Sequence, residues 1–380
     1  MKNVVFEQYV LAHYSVPLFS ELAKHVNLTI IVSTGKSVDG LKKVGGKLPF
    51  KVIELAESPR TGLFHPDLLK ILEEEKADVL ISFMTSIDRL LSDDTAYQSL
   101  QKMGVKVMVA GCDGYMYKTP IYALFRQFIN PRMIMPTLAS IKASRRLDHV
   151  LAYSSKTADY FAGARFVPRN RISITGNAID TSMLNRTYHE LMAAGVVRVP
   201  NKIVYAGRLS TGKKPRLLVE AFAEVIKKFP DATLEFVGEG SERGPAEELA
   251  KRLGVDSAVT FVGGVYDDKL MAEHLARASL AVMPALGGLG FNSAMACGLP
   301  LVYTDADGTE NELFKEPGLG WYFDGTKKDL VRMISIALAS PERMHEYGDE
   351  GEKVIMQKYT IANMVEKYVS AINHANQKTS

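Results

Sequence analysis

The stretch Val204–Val225, VYAGRLSTGKKPRLLVEAFAEV, changes its periodicity midway. With Lys202 and Ile203 before it, its first part is a short apolar, β-branched run. Its last part repeats apolar residues at helical spacing, so a strand gives way to a helix. Between the two lie Gly207 and Arg208 and, five residues on, Lys213. A strand-to-helix turn offers unpaired backbone N–H groups at its helix end. Arg208 and Lys213 add two cations to that positive field. Such a pair suits a diphosphate leaving group, whose charge grows as its bond breaks.

The same alternation extends in both directions. Toward the N-terminus the candidate strands are NVVFEQYV, LTIIVST, FKVIEL, DVLISFM, KVMVAG, HVLAYS and ISITGN. Toward the C-terminus they are KIVYAGR, TLEFVGE, VTFVGGV, LAVMPA and LPLVYTD. Runs that are apolar on both faces fit a parallel sheet covered by helices. Amphipathic stretches such as KPRLLVEAFAEVIKKF and DDKLMAEHLARAS separate them. Alternation of this length means an α/β, doubly wound architecture. One strand–helix series ends near MAAGVVRVPNK, and a new strand starts at Lys202. The expected layout is two Rossmann-like domains facing each other across a cleft, spanning 1–195 and 196–358. A helix over 359–380 packs back on the first.

Composition narrows the function classes. A chain of 380 residues exceeds one ordinary core. Hydrophobic content of 47% and charged content of 23% fit a soluble globular protein. A net charge of +3 is too small to suggest nucleic acid as a partner. Cys112 and Cys297 make neither a zinc spacing nor a disulfide framework, which favours a reducing cytosol. No apolar run reaches the roughly 18 residues needed to span a bilayer, and the N-terminus lacks the features of a signal peptide. The segment 114–147 stands apart. It has no acidic residue and carries Lys118, Arg126, Arg132, Lys142, Arg145 and Arg146 among aromatic and aliphatic side chains. Cationic and apolar groups acting together suit an anionic lipid surface, as against an ordinary solvated helix face.

A second loop matters as much as the first. Pro284–Pro300, PALGGLGFNSAMACGLP, opens as a glycine-rich turn and closes as a small-residue helix. Taken with GRL, Lys213 and LLVEAF, and in the order FVGEGSERGPAEELAKRLGV, VTFVGGV, ARASLAVMP and LVYTDADGTENELFKEPGLGW, it resembles the retaining glycosyltransferases of family 4, which have the GT-B fold. The resemblance covers the second half of the chain. It reaches back through LDHVLAYSSKTADYF and RISITGNAID, which look like that family's domain-joining segment. It implies transfer of a sugar from a UDP- or GDP-type nucleotide sugar, with anomeric configuration kept, to a glycan or lipid-linked acceptor. The second domain would hold the donor and the first the acceptor. No cofactor or metal is implied, because the cations take the metal's part.

Residue by residue, the resemblance gives Arg208 and Lys213 the diphosphate, next to Gly207. Gly263 and Gly264 fall in the turn that meets the nucleobase. Gly287, Gly288, Leu289 and Gly290 form the loop whose N–H groups face the donor sugar and phosphate, with the helix N-terminus after Gly290. Two departures stand out. Ser293 occupies the place of a glutamate that grips the ribose hydroxyls, and the family's earlier glutamate has no counterpart around Ala285. In VAGCDGYMY, Cys112 and Asp113 lie where a catalytic-site histidine is usual, and Asp113 is the candidate acceptor-side base. His13, just after the first strand, is a further catalytic candidate, set against a capping or solvent-exposed histidine.

Other patterns imitate different chemistry. GEGSERG, with Gly238, Gly240 and Gly244, imitates a dinucleotide fingerprint but has the wrong spacing and lacks the acidic residue that ends the next strand. Asp305 and Asp307 imitate the metal-binding pair of another glycosyltransferase fold. The missing acids also motivate a rival expectation, a catalytically inactive nucleotide-sugar-binding subunit that supports a partner enzyme. An epimerase or phosphorylase on the same fold is a third. The expected location is cytoplasmic, at the inner face of the membrane.

Overall fold

The computed structural model describes residues 1–34, 44, 46–56, 65–111, 120–122, 129, 131–305, 308–315 and 317–375. These form two compact units, each built on its own parallel sheet.

The first unit holds β1 (Asn3–Glu7), β2 (Asn27–Ser33), β3 (Lys51–Leu55), β4 (Val79–Ser82), β5 (Lys106–Gly111), β6 (His149–Ala152) and β7 (Ile172–Ile174). Their order is β3-β2-β1-β4-β5-β6-β7, and every pair is parallel. The order reverses between β1 and β4. Central strands read as unbroken apolar runs because helices cover both faces of the sheet. β4 and β6 are buried along their whole length, whereas β3, at the edge, is mostly exposed.

The second unit runs from Ala178 to Thr360 in its described elements. Its strands are β8 (Lys202–Ala206), β9 (Thr233–Val237), β10 (Val259–Gly263), β11 (Leu280–Met283), β12 (Leu301–Tyr303) and β13 (Gly320–Tyr322). Their order is β10-β9-β8-β11-β12-β13, again parallel throughout, with the reversal between β8 and β11. Both sheets thus contain the doubly wound 3-2-1-4-5-6 order, which β7 extends by one strand in the first. The α/β reading with two Rossmann-like units holds.

Contacts divide the chain at Asn177–Ala178, while the sequence reading draws its line at 195/196. The intervening helix Ser182–Ala193 packs on the helix Asp268–Arg277 of the second unit. Its buried Leu184 and Tyr188 join the second core with Ile203, Phe222 and Phe291. The last helix, Ile361–His374, returns to the first unit, where Tyr368 is fully buried and stacks on Phe6 at a centroid distance of 6.3 Å.

Candidate functional site

In an open α/β sheet the strand-order reversal leaves a crevice at the carboxyl ends of the two strands involved. In the second unit these are the ends of β8 and β11, which carry the two loops singled out above. The chain after Ala206 passes through Gly207 and Arg208 to a single 3-10 turn, Thr211–Lys213. Lys214 takes a left-handed conformation (φ 50°), and Pro215 then opens the helix Pro215–Val225. Proline suits that first helical position, since its missing N–H would be unpaired there anyway.

The two loops touch. Lys213 Nζ donates to the Gly287 carbonyl at 3.2 Å. Gly290 lies so close to β8 that a Cβ there would sit 2.7 Å from the Ala206 carbonyl oxygen. No side chain fits such an approach to backbone, so glycine is required by contact and not only by flexibility. Gly288 has φ +53°. Gly287 packs on Phe291, whose ring a Cβ at 287 would overlap at 2.1 Å. Leu289 is half-buried and caps the helix Gly290–Ala296 without a side-chain hydrogen bond. That helix has only seven residues, and inside the loop before it the Gly290 N–H donates to the Gly287 carbonyl at 3.2 Å. Ser293 is half-buried within it.

The sequence reading missed what supports these loops. Gly238 and Gly240, the false dinucleotide motif, let the β9 loop press against the β8 loop. A Cβ at Gly238 would lie 1.9 Å from the Gly207 carbonyl oxygen. Backbone bonds tie the two loops: Leu209 N–H donates to the Glu239 carbonyl, and Glu242 N–H donates to the Leu209 carbonyl, each at 2.9 Å. Tyr205, buried at the end of β8, donates its hydroxyl to the Arg208 carbonyl at 2.8 Å, and burial pushes its phenol well up. Glycines at unusual spacing were the legible signal, and they fit loop packing in place of a nicotinamide site.

Charge is apportioned in a useful way. Glu242 accepts from Thr211 at 3.0 Å and from Arg216 at 2.7 Å, and Glu239 pairs with Arg243 at 2.7 Å. The nearby carboxylates are thereby engaged by other groups, and the Arg208 side chain is exposed. Gly263 ends β10, bridges Gly238 and so reaches the same loop cluster one strand further out, followed by Gly264 beside Tyr266. The structure therefore brings together Gly207, Arg208, Lys213 and Gly287–Gly290, with Gly263 and Gly264 on their flank.

Other candidates lie elsewhere or outside the described residues. His13 belongs to the first unit, half-buried and edge-on to Tyr14 at 5.4 Å. Cys112, Asp113 and Asp307 lie outside the described residues. Asp305 accepts from the Tyr322 hydroxyl at 3.1 Å. Among the described residues no group of three acidic, histidine or cysteine side chains could hold a metal ion. Cys297 is buried, which pushes its thiol well up and leaves it inert. Among the described residues no helix is long and apolar enough to cross a membrane.

Comparison with known proteins bears on the fold and the family. Residues 194–354 match the family model for glycosyl transferases group 1. The GDP-mannose-dependent alpha-(1-6)-phosphatidylinositol monomannoside mannosyltransferase of Mycolicibacterium smegmatis is 31% identical over 160 residues, 39% of this chain and 41% of the relative. The chain spans less than half the length of the curated relatives it matches. Two solved structures superpose across almost the whole chain. Anabaena HepE, in complex with UDP, gives a TM-score of 0.71 at 15% identity, covering 98% of this chain and 100% of that one. Sucrose-phosphate synthase from Thermosynechococcus elongatus gives 0.72 at 15% identity, covering 98% and 99%.

Proposed function

We infer that this chain is a member of glycosyl transferases group 1: residues 194–354 match that family's model, and the solved structures share its two-domain fold. From that premise, we propose that it is a glycosyltransferase that moves a sugar from a UDP- or GDP-type nucleotide sugar to a glycan or lipid-linked acceptor, with anomeric configuration retained and without a metal. One observation carries the reading. At the strand-order reversal of the second sheet, the cation-bearing loop and the glycine loop are joined by the Lys213–Gly287 bond. The relative that uses GDP-mannose and the neighbour solved with UDP support the same donor class.

Retaining transfer asks the protein mainly for charge stabilisation and positioning. As the bond from the anomeric carbon to the diphosphate breaks, the sugar becomes oxocarbenium-like and the diphosphate gathers charge. Arg208 and Lys213 face that charge, and the N–H groups of Gly287, Gly288 and Leu289 hold the donor sugar and phosphate, with the Gly290 N–H closing the loop on the Gly287 carbonyl. Gly263 and Gly264 meet the base. Ser293 contacts the ribose through one hydroxyl. In the first unit, His13 and Asp113 are the acceptor-side candidates. Losing one such charge-stabilising donor costs on the order of 3 kcal/mol in the barrier, roughly a hundredfold in rate.

Lys213→Ala therefore lowers transfer by at least about a hundredfold while leaving circular dichroism unchanged. A screen of UDP- and GDP-sugars by thermal shift, followed by product analysis with the best donor, measures both halves of the claim. If no nucleotide or nucleotide sugar raises the melting temperature and none is turned over, the function is wrong.

A further inference from the structure

Three adjacent strands of the first sheet, β2, β1 and β4, each end on a buried polar residue. These are Ser33, Glu7 and Ser82, on strands otherwise made almost wholly of apolar side chains. His65, from the segment before the helix Leu68–Glu74, joins them and is only 1% exposed. Its Nδ1 lies 2.5 Å from Glu7 Oε1, and its Nε2 lies 3.2 Å from Ser33 Oγ. Ser82 donates to Glu7 Oε2 at 2.5 Å. One carboxylate, one imidazole and two hydroxyls thus form a continuous buried network. Burying a carboxylate is costly unless it is well paired, and this one is paired on both oxygens.

Glu7, Ser33 and His65 line a cavity of about 180 Å³. Tyr9, Phe83 and the exposed Thr85 help to wall it. Its position follows from the topology. β1 and β4 are the strands at which the first sheet reverses its order, so the cavity lies where such sheets bind ligands. Its size equals roughly six waters, below the volume of a drug-sized pocket.

The chemistry narrows the occupant. A carboxylate has about four lone-pair positions, and His65 and Ser82 use two, so Glu7 can still accept from ligand hydroxyls. The free lone pairs of Glu7 match hydroxyl donors and give a phosphate oxygen nothing to accept from. Phe83 and Tyr9 offer flat apolar surface to the C–H side of a ring. We propose that this cavity seats one unphosphorylated, polyhydroxylated ring, with Glu7 accepting from its hydroxyls and His65 and Ser82 holding Glu7 in place. The inference deepens the proposed function, and it rests on that reading only in taking the ring to be part of the acceptor.

The test is saturation-transfer NMR on the full chain without nucleotide. The probes are methyl α-glucoside, methyl α-mannoside, methyl β-galactoside and glucose 6-phosphate. At least one neutral glycoside binds, and glucose 6-phosphate binds at least tenfold more weakly than it. Glu7→Gln weakens the neutral probe at least tenfold. Thr85→Trp, at the exposed rim, blocks it without touching the buried network, and decides the matter if Glu7→Gln fails to fold. Absence of any glycoside signal with folded wild type overturns the proposal. So does unchanged binding in a folded variant, or equal binding of glucose 6-phosphate. Nucleotide-induced stabilisation is scored separately in the same samples, so a failure of the transferase reading is told apart from a failure of this site.

Discussion

Ser293 condenses the residue-scale question of donor grip. It is half-buried on the short helix that follows the glycine loop, with a hydroxyl where the family resemblance leads one to expect a carboxylate. A carboxylate accepts two hydrogen bonds from a ribose diol, and charge-assisted bonds are about twice as strong as neutral ones. Ser293→Glu is expected to tighten UDP or GDP roughly tenfold by calorimetry, the equivalent of about 1.4 kcal/mol. Unchanged or weaker binding would place the ribose elsewhere. A second residue couples the fold to pH. His149, on β6, bonds to Ser173 Oγ at 2.8 Å, and its pKa falls to about 4, chiefly through burial and then through His374, against a smaller pull from Asp148. The folded protein thus refuses a proton that the unfolded chain takes up below about 6.5. His149 stabilisation is complete above pH 6.5 and is lost as pH falls toward 4, by about 3 kcal/mol. Urea titrations at pH 7 and pH 4.5 measure the slope, and His149→Asn flattens it.

At the scale of elements, buried parallel strands were the most legible feature. Each candidate run contains a strand. β13 escaped notice because it starts on Gly320 and has no β-branched residue to mark it. The two loops that the proposed function assigns to the donor were legible because Gly207 through Lys213 and Gly287 through Gly290 are contiguous motifs. The Glu7–His65–Ser82 network was not, since its members lie 58 and 75 residues from Glu7 and only strand order brings them together. In the basic segment, the helix Pro131–Arg145 exposes Met133, Met135 (72%) and Leu138, with Ile121 (80%) and Ile129 exposed before it. Two of its expected surface cations are committed elsewhere. Lys142 and Arg146 both pair with Asp94, and Arg146 also lies over Tyr97. Apolar insertion therefore carries more of any membrane contact than charge does. Met135→Asp is expected to lower co-sedimentation with phosphatidylglycerol-containing vesicles at least fivefold. Binding by wild type no greater than to a vesicle-free control would remove the membrane from the picture.

Across the whole molecule, two similar sheets do different work. The second places its glycine and cation loops at its reversal point, and the first places a buried polar network at its own. The first also depends on a distant part of the chain, because the helix Ile361–His374 buries Met364, Val365, Tyr368, Ala371 and Ile372. Tyr368→Ala removes a fully buried ring packed on Phe6 and is expected to cost about 3–5 kcal/mol. Hydrogen exchange locates the loss: amides of β1, β2 and β4 lose protection, and those of β8, β9 and β11 keep theirs.

That returning helix also sets an order of assembly. During synthesis the elements of the second unit emerge as one continuous run, Ala178 to Thr360, and can close their core as they leave the ribosome. The first unit, although made earlier, completes the packing over Phe6, begun by Phe19, only once Tyr368 has been translated. The half of the protein that is born first is the half that matures last.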